Sequence, residues 1–228
     1  MQAAPTIVEL PVNPLVLSPD DVPSLKDVER DLQGCDSCTL SVTRSRIVFG
    51  EGPAPADLML IGTAPGRPED LAGSPFAGAG GNLLHNLLSD AKIDRSSCYV
   101  TSMVKCFPGS SRRPVEAEIE ACRDNLVAQI ANVRPKVIVA FGELVTWMLL
   151  GKPVPMERVI GFRFDAFDGV TVVPTHSPYD ALRGSPTRMS DMARDIRTAK
   201  AVLEGRLPTG RQALQELRAR QAAVRDAG

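Results

Sequence analysis

The stretch Asp57-Leu-Met-Leu-Ile-Gly-Thr-Ala-Pro-Gly66 sets an apolar run directly against a turn built from Gly, Thr, Ala and Pro. Four apolar residues in a row, without alternation, describe a strand buried on both faces, and Gly62 closes it. The pattern recurs along the chain. Residues 99–104 form a second run that enters Lys105-Cys106, Val137-Ile-Val-Ala-Phe141 a third that stops at Gly142, and residues 170–174 a fourth. Helical patterns lie between them. Residues 80–91 carry Leu83, Leu84, Leu87 and Leu88, and residues 144–150 and 190–203 supply further helices. A long helix opens at Pro114 and Glu116 and sets Ile119, Cys122, Leu126 and Ile130 on one stripe. Strands alternating with helices predict an α/β sandwich around a largely parallel sheet. Such sheets bind ligands beyond the carboxyl ends of their strands. Here those ends are residues 62–66, Thr101-Ser102-Met103 and Pro174-Thr-His-Ser-Pro178, all rich in Gly, Pro and small polar residues.

The flanks read differently. Residues 1–24 hold Pro5, Pro11, Pro14, Pro19 and Pro23 and are expected to form an extended arm. A short helix over Leu25–Leu32 begins the domain, expected to span residues 25–204, and residues 205–228 read as a break followed by a charged helix over 211–225. A length of 228 residues suits one domain with tails. Hydrophobic residues at 43% and charged residues at 23% exclude wholesale disorder and collagen-like repeats. No apolar run is long enough to span a bilayer, and the start lacks the pattern of a signal peptide, so the expectation is a cytoplasmic protein without a membrane partner. With 26 Lys+Arg against 27 Asp+Glu, any phosphate-binding surface must be a local patch. Residues 62–66 have the look of a phosphate loop but lack its Gly-Lys-Ser/Thr end, which excludes nucleotide hydrolysis.

Five cysteines, Cys35, Cys38, Cys98, Cys106 and Cys122, stand in a chain expected to meet a reducing compartment. A Cys-x-x-Cys is then a metal or redox site rather than a disulfide. Cys35 and Cys38 sit in a polar loop, Cys106 follows a strand and Cys122 lies in a helix; four such thiols hold either zinc or an iron–sulfur cluster. The alternative, a buried small apolar side chain, suits Cys98 beside Tyr99 but not Cys35 or Cys38.

With these motifs in order, the chain resembles the family 4 uracil-DNA glycosylases, the iron–sulfur branch of that superfamily. The resemblance runs from about Cys35 to Arg183. It rests on Cys35-Asp-Ser-Cys-Thr-Leu40, Phe49-Gly-Glu-Gly52, Gly62-Thr-Ala-Pro-Gly66, Glu69-Asp70, Gly73-Ser-Pro-Phe-Ala-Gly78 and Gly80-Gly-Asn-Leu-Leu84. It continues through Tyr99-Val-Thr-Ser-Met-Val-Lys-Cys106, Arg112-Arg-Pro114, Glu118 through Cys122, Pro135-Lys-Val-Ile-Val139 and residues 174–183. It implies a three-layer α/β/α sandwich with a central, mainly parallel four-stranded sheet. It also implies a structural 4Fe–4S cluster on Cys35, Cys38, Cys106 and Cys122, with zinc as the alternative. In the same way it implies a base-binding pocket from Ala64, Pro65, Phe76, Ser102 and Ser177, with Phe76 stacked on a flipped base. Glu69 would act on water, Asp70 would cap a turn, and Arg112, Arg113 and Arg183 would meet DNA phosphates.

Three positions depart from the family pattern. Thr63 stands where Gly-Glu-Ala-Pro-Gly has its acid, Ser102 where an Asn reads the uracil edge, and Ser177 where a His stabilises the departing base, with His176 displaced by one residue. Ser has a single short hydroxyl and cannot span the two contacts an Asn makes. His176 therefore either substitutes for that His through a rotated loop, with Glu69 and Thr63 completing the catalytic set, or is a partly buried side chain beside the pocket. Two functions follow. One is a monofunctional DNA glycosylase that flips a base, uracil above all, and hydrolyses its N-glycosidic bond in single- or double-stranded DNA near the nucleoid. The other is a catalytically silent iron–sulfur protein that binds DNA, or a protein through its terminal arms. A monomer is expected in either case.

Overall fold

A computed structural model describes residues 7–9, 22–109, 112–166, 169–184 and 186–209. In chain order the strands and α-helices are β1 (Ile7–Glu9), α1 (Leu25–Leu32), β2 (Leu58–Gly62), α2 (Arg67–Ala72), α3 (Ala79–Asp90), β3 (Cys98–Ser102), α4 (Glu116–Val133), β4 (Val137–Phe141), α5 (Glu143–Leu150), β5 (Arg163–Asp165), β6 (Thr171–Thr175), α6 (Pro178–Arg183) and α7 (Pro186–Leu203). The expected helix over residues 211–225 lies outside the described residues, as does most of the expected N-terminal arm.

Every residue of β2, β3, β4 and β6 is buried, because both faces of the sheet are covered. Successive side chains point to opposite faces, so each strand feeds two cores. Met59 and Ile61 of β2 join Ile138 and Ala140 of β4 against Leu126 and Ile130 of α4 and Val145 and Leu149 of α5. Leu58 and Leu60 join Val137 and Val139 against Leu84 and Leu88 of α3 and Ile196 and Ala199 of α7. This is the three-layer α/β/α sandwich. A smaller cluster seats Val28 and Leu32 of α1 on Ala128 of α4.

The sheet runs β1-β5-β6-β4-β2-β3. The four expected strands sit together and pair in parallel, β6 to β4, β4 to β2 and β2 to β3. The expectation of four strands is corrected to six. β5 pairs antiparallel with β6, and β1 pairs parallel with β5. Both additions are three residues long, too short for an apolar period to register, and β1 sits inside the segment read as an arm. Among the described residues no helix is long and apolar enough to cross a membrane.

Parallel pairing brings the carboxyl ends of β2, β3, β4 and β6 to one edge. There the turn after β2 is fastened to the segment after β3: Met103 donates to the Gly62 carbonyl (2.7 Å) and Val104 to that of Thr63 (3.0 Å). The Gly142 amide donates to the Thr175 carbonyl (2.9 Å), so β4 and β6 end in register.

Candidate active site and cysteine centre

At this edge lies a cavity of about 80 Å³ lined by Gly62, Thr63, Ala64, Glu69, Phe76, Ser102, Phe141, Ser177, Pro178 and Tyr179. It is contiguous, through Thr63, Ala64, Ser177 and Tyr179, with an open groove of about 540 Å³ flanked by Arg67, Arg112, Arg113 and Arg183. Of the expected base-binding residues, Ala64, Phe76, Ser102 and Ser177 line the cavity, and Pro65 lies on the groove.

Phe76 forms a wall of the cavity. Its ring meets Phe141 edge-on, with centroids 5.7 Å apart and planes at 65°. Its backbone is left-handed (φ 54°), an uncommon state for a bulky residue that its surroundings must hold. Arg95 donates to the preceding Pro75 carbonyl (3.2 Å) and to Glu51 (2.8 Å), and Glu51 also accepts from Ser74 (2.7 Å). Helix α3 starts so close behind that a Cβ on Gly81 would lie 1.6 Å from the Phe76 carbonyl oxygen. Only glycine fits there.

Glu69 is almost fully buried and tightly held. Its Oε2 accepts the Gly66 amide (2.9 Å), and its Oε1 accepts the Gly78 amide (2.9 Å) and the Tyr179 hydroxyl (2.6 Å). A carboxylate offers about four lone-pair sites. Three donors therefore leave one acceptor position, on Oε2. Burial, followed by the hydrogen bond to Glu69, drives the Tyr179 hydroxyl above its ordinary range, so it stays protonated and can donate to Glu69. Asp70 caps the loop before it, accepting the Ser45 amide (2.7 Å) and facing Arg67 (3.4 Å). Tyr179 is a functional residue that the sequence reading does not single out. Its only signal there was Pro178, a usual first residue of a helix, which here starts α6.

His176 does not line the cavity. Its Nε2 lies 3.4 Å from Asp191 on α7, and Asp191 is also held by Arg194 (2.7 Å). Adjacent side chains on extended backbone point apart, so Ser177 faces the cavity and His176 faces α7. The hydroxyls of Thr63, Ser102 and Ser177 make no side-chain hydrogen bond among the described residues and remain free for a ligand.

Behind Ser102 lies Lys105, fully buried. Its ammonium donates to Thr101 Oγ1 (2.8 Å), the Ser102 carbonyl (2.5 Å) and Gln129 Oε1 (2.5 Å), three acceptors for three N–H groups. Burial pulls its pKa down to about 7.

The chain brings Cys35, Cys38, Cys106 and Cys122 together. Cys106 and Cys122 are buried and Cys35 and Cys38 half-buried. Cys122 feels the charges of Cys38 and Cys35, and Cys106 those of Cys122 and Cys38. Cys98 stands apart on the opposite face of the sheet. Two donors already point at these sulfurs: Arg44 Nη1 at Cys106 (3.5 Å) and the Lys105 amide at Cys122 (3.4 Å). Burial pushes the Cys106 thiol up to about 11, the cost that bound metal would relieve. Among the described residues no three His, Cys, Asp or Glu side chains close around a single ion.

Arg112 and Arg113 reach the groove, each paired with an acid. Arg112 forks onto Glu118 (2.7 and 2.8 Å), and Arg113 meets Glu143 (2.9 Å). Arg183 is exposed and makes no ion pair among the described residues.

A family model described as the uracil DNA glycosylase superfamily matches residues 49–198. The type-4 uracil-DNA glycosylase of Thermotoga maritima is 35% identical over 179 residues, covering 78% of this chain and 93% of that protein. That of Saccharolobus solfataricus is 34% identical over 184 residues, covering 77% and 85%. That of Archaeoglobus fulgidus is 42% identical over 119 residues, covering 52% of this chain and 60% of the relative.

Proposed function

The chain belongs to the uracil DNA glycosylase superfamily, and from that membership we propose that it is a monofunctional DNA glycosylase that excises uracil by hydrolysis. The observation that carries this reading is the small cavity walled by Phe76 at the strand ends, opening on a groove flanked by guanidiniums. A base turned out of the strand stacks on Phe76, a contact worth about 1–3 kcal/mol. Ser102 and Ser177 offer hydroxyls to its edge, Thr63, Ala64 and Pro65 line the entrance, and Arg113 and Arg183 contact phosphates on either side. Water held at the remaining acceptor site of Glu69 attacks C1′ as the bond to the base nitrogen breaks. The base departs with the bonding electron pair, the sugar keeps the hydroxyl, and the proton the water gives up, accepted first by Glu69, balances the one the base takes on as it leaves. His176 supports the 175–178 turn through Asp191 rather than touching the base.

Cys35, Cys38, Cys106 and Cys122 fit a 4Fe–4S cluster. When bound, that group supplies a structural cross-link between the 35–44 loop, the 103–109 segment and α4. The protein would act on DNA in the cytoplasm, as a single domain over residues 25–204.

A second reading has one observation in its favour: no imidazole and no side-chain amide lines the cavity. A catalytically silent DNA-binding protein would keep the groove and the cluster but leave the base in place. Single-turnover incubation with a uracil-containing single-stranded oligonucleotide, followed by alkali, separates the two. Strand breaks at uracil that vanish in Glu69→Gln support excision. Salt-dependent retention without breaks refutes it.

A further inference from the structure

Arg112 was expected to meet a phosphate, yet its guanidinium, exposed on one side to the groove, is committed on the other to a buried carboxylate. Nη1 and Nη2 donate in parallel to Oε2 and Oε1 of Glu118 at 2.8 and 2.7 Å, the fork geometry available only to arginine. Glu118 is buried, and two further donors fill its remaining lone pairs: the Thr39 hydroxyl (2.9 Å) and the Val115 amide (2.9 Å). Four donors thus saturate one carboxylate.

The positions of these residues matter more than their number. Thr39 follows Cys38 in the first cysteine loop. Arg112 stands on the segment that leaves Cys106. Glu118 precedes Cys122 by four residues on α4, and so lies on the same helix face. One carboxylate therefore ties together the three segments that carry all four cysteines. Neighbouring ties run the same way: the Thr43 hydroxyl donates to the Phe107 carbonyl (3.1 Å), and Arg44 bridges the Cys35 carbonyl (2.5 Å) and the Cys106 sulfur.

We infer that Arg112 is a positioning residue for the cysteine centre: through Glu118 it holds the three cysteine-bearing segments in place, and it does not serve as a phosphate contact. Phosphate contact falls instead to Arg113 and Arg183. This rests on the cluster reading above.

The test uses the full chain, purified with its iron. Two quantities are measured: the rate of iron release to excess chelator, followed by the fading of visible absorption, and the salt dependence of binding to a single-stranded oligonucleotide. Arg112→Lys keeps the charge and loses the fork. It should release iron several-fold faster with an unchanged salt slope, and Glu118→Gln should behave alike. Arg113→Ala and Arg183→Ala should each lower the salt slope by about 0.7 while holding iron as the parent does. Far-UV circular dichroism identifies a variant that has not folded, and Arg112→Lys is the mildest of the set. Iron release from Arg112→Lys at the parent rate overturns this inference alone. A salt slope lowered in Arg112→Ala with iron release unchanged also overturns it and restores the phosphate contact. Parent protein without iron overturns the cluster reading and this inference together.

Discussion

Adding one methyl at Gly62 should slow base excision by up to about a hundredfold while leaving the fold standing. Gly62 ends β2 at the cavity, and a Cβ there would lie 2.9 Å from Phe76 Cζ, 3.4 Å from Phe76 Cε2 and 3.4 Å from Ser102 Oγ. Ordinary contact begins at 3.4 Å, so the Phe76 ring must retreat by 3.4 − 2.9 = 0.5 Å. The obstacle is the far end of a side chain, and Gly62 lies in a regular strand that alanine adopts without strain. In Gly62→Ala, overpacking costs about 1–3 kcal/mol. Restricting the unfolded chain offsets about 0.4–1 kcal/mol of that. The melting temperature should then fall by less than about 10 °C, at roughly 2–4 °C per kcal/mol for a chain of this size. Excision should suffer far more. The methyl fills part of a cavity of about 80 Å³, touches Ser102 and displaces the stacking ring. A misplacement near 1 Å costs about a hundredfold in rate. Single-turnover excision should therefore drop about a hundredfold with iron content and salt slope unchanged. Gly81→Ala is the contrasting control. Its Cβ would meet the Phe76 carbonyl oxygen at 1.6 Å, backbone that cannot step aside, and the variant should lose the fold itself. Gly62→Ala that excises uracil at the parent rate would show that this cavity is not where the base sits.

Three further outcomes are expected. Tyr179→Phe removes one of three donors to Glu69; it should cost about 0.5–1.5 kcal/mol in a denaturant titration and slow excision without weakening DNA retention. His176→Ala should excise at nearly the parent rate, because His176 faces Asp191, whereas Ser177→Ala should slow the reaction; the reverse order in single-turnover assays would place the imidazole in the cavity. The Arg112 guanidinium, then the Val115 amide and the Thr39 hydroxyl, hold the Glu118 carboxyl down at about 2 from an ordinary 4.5. A depressed carboxylate stabilises the fold fully above the ordinary value and loses that contribution as pH falls through the folded one. Urea midpoints should thus decline from pH 4.5 toward 2, and Glu118→Gln should lower the midpoint at pH 7 and flatten the decline.

Much of this molecule was legible in one dimension. Uninterrupted apolar runs at Leu58–Ile61 and Val137–Phe141 mark strands covered on both sides, since no half-exposed strand tolerates them. Glycine and proline at their ends mark the edge where the site forms. The polar surroundings of Cys35 and Cys38 separate them from Cys98. The short strands β1 and β5 leave no trace in the sequence, because three residues carry no period. What only the tertiary structure decided is direction and partnership. Tyr179 meets Glu69 across 110 positions, and Thr39 meets Glu118 across 79, pairings no local pattern encodes. Residue types and order determined that the strand ends carry a site and that four thiols are available to it. Which way His176 turns, and that Arg112 pairs with a buried carboxylate, follow from backbone angles and the neighbours that packing supplies, which exist only once the chain has closed on itself.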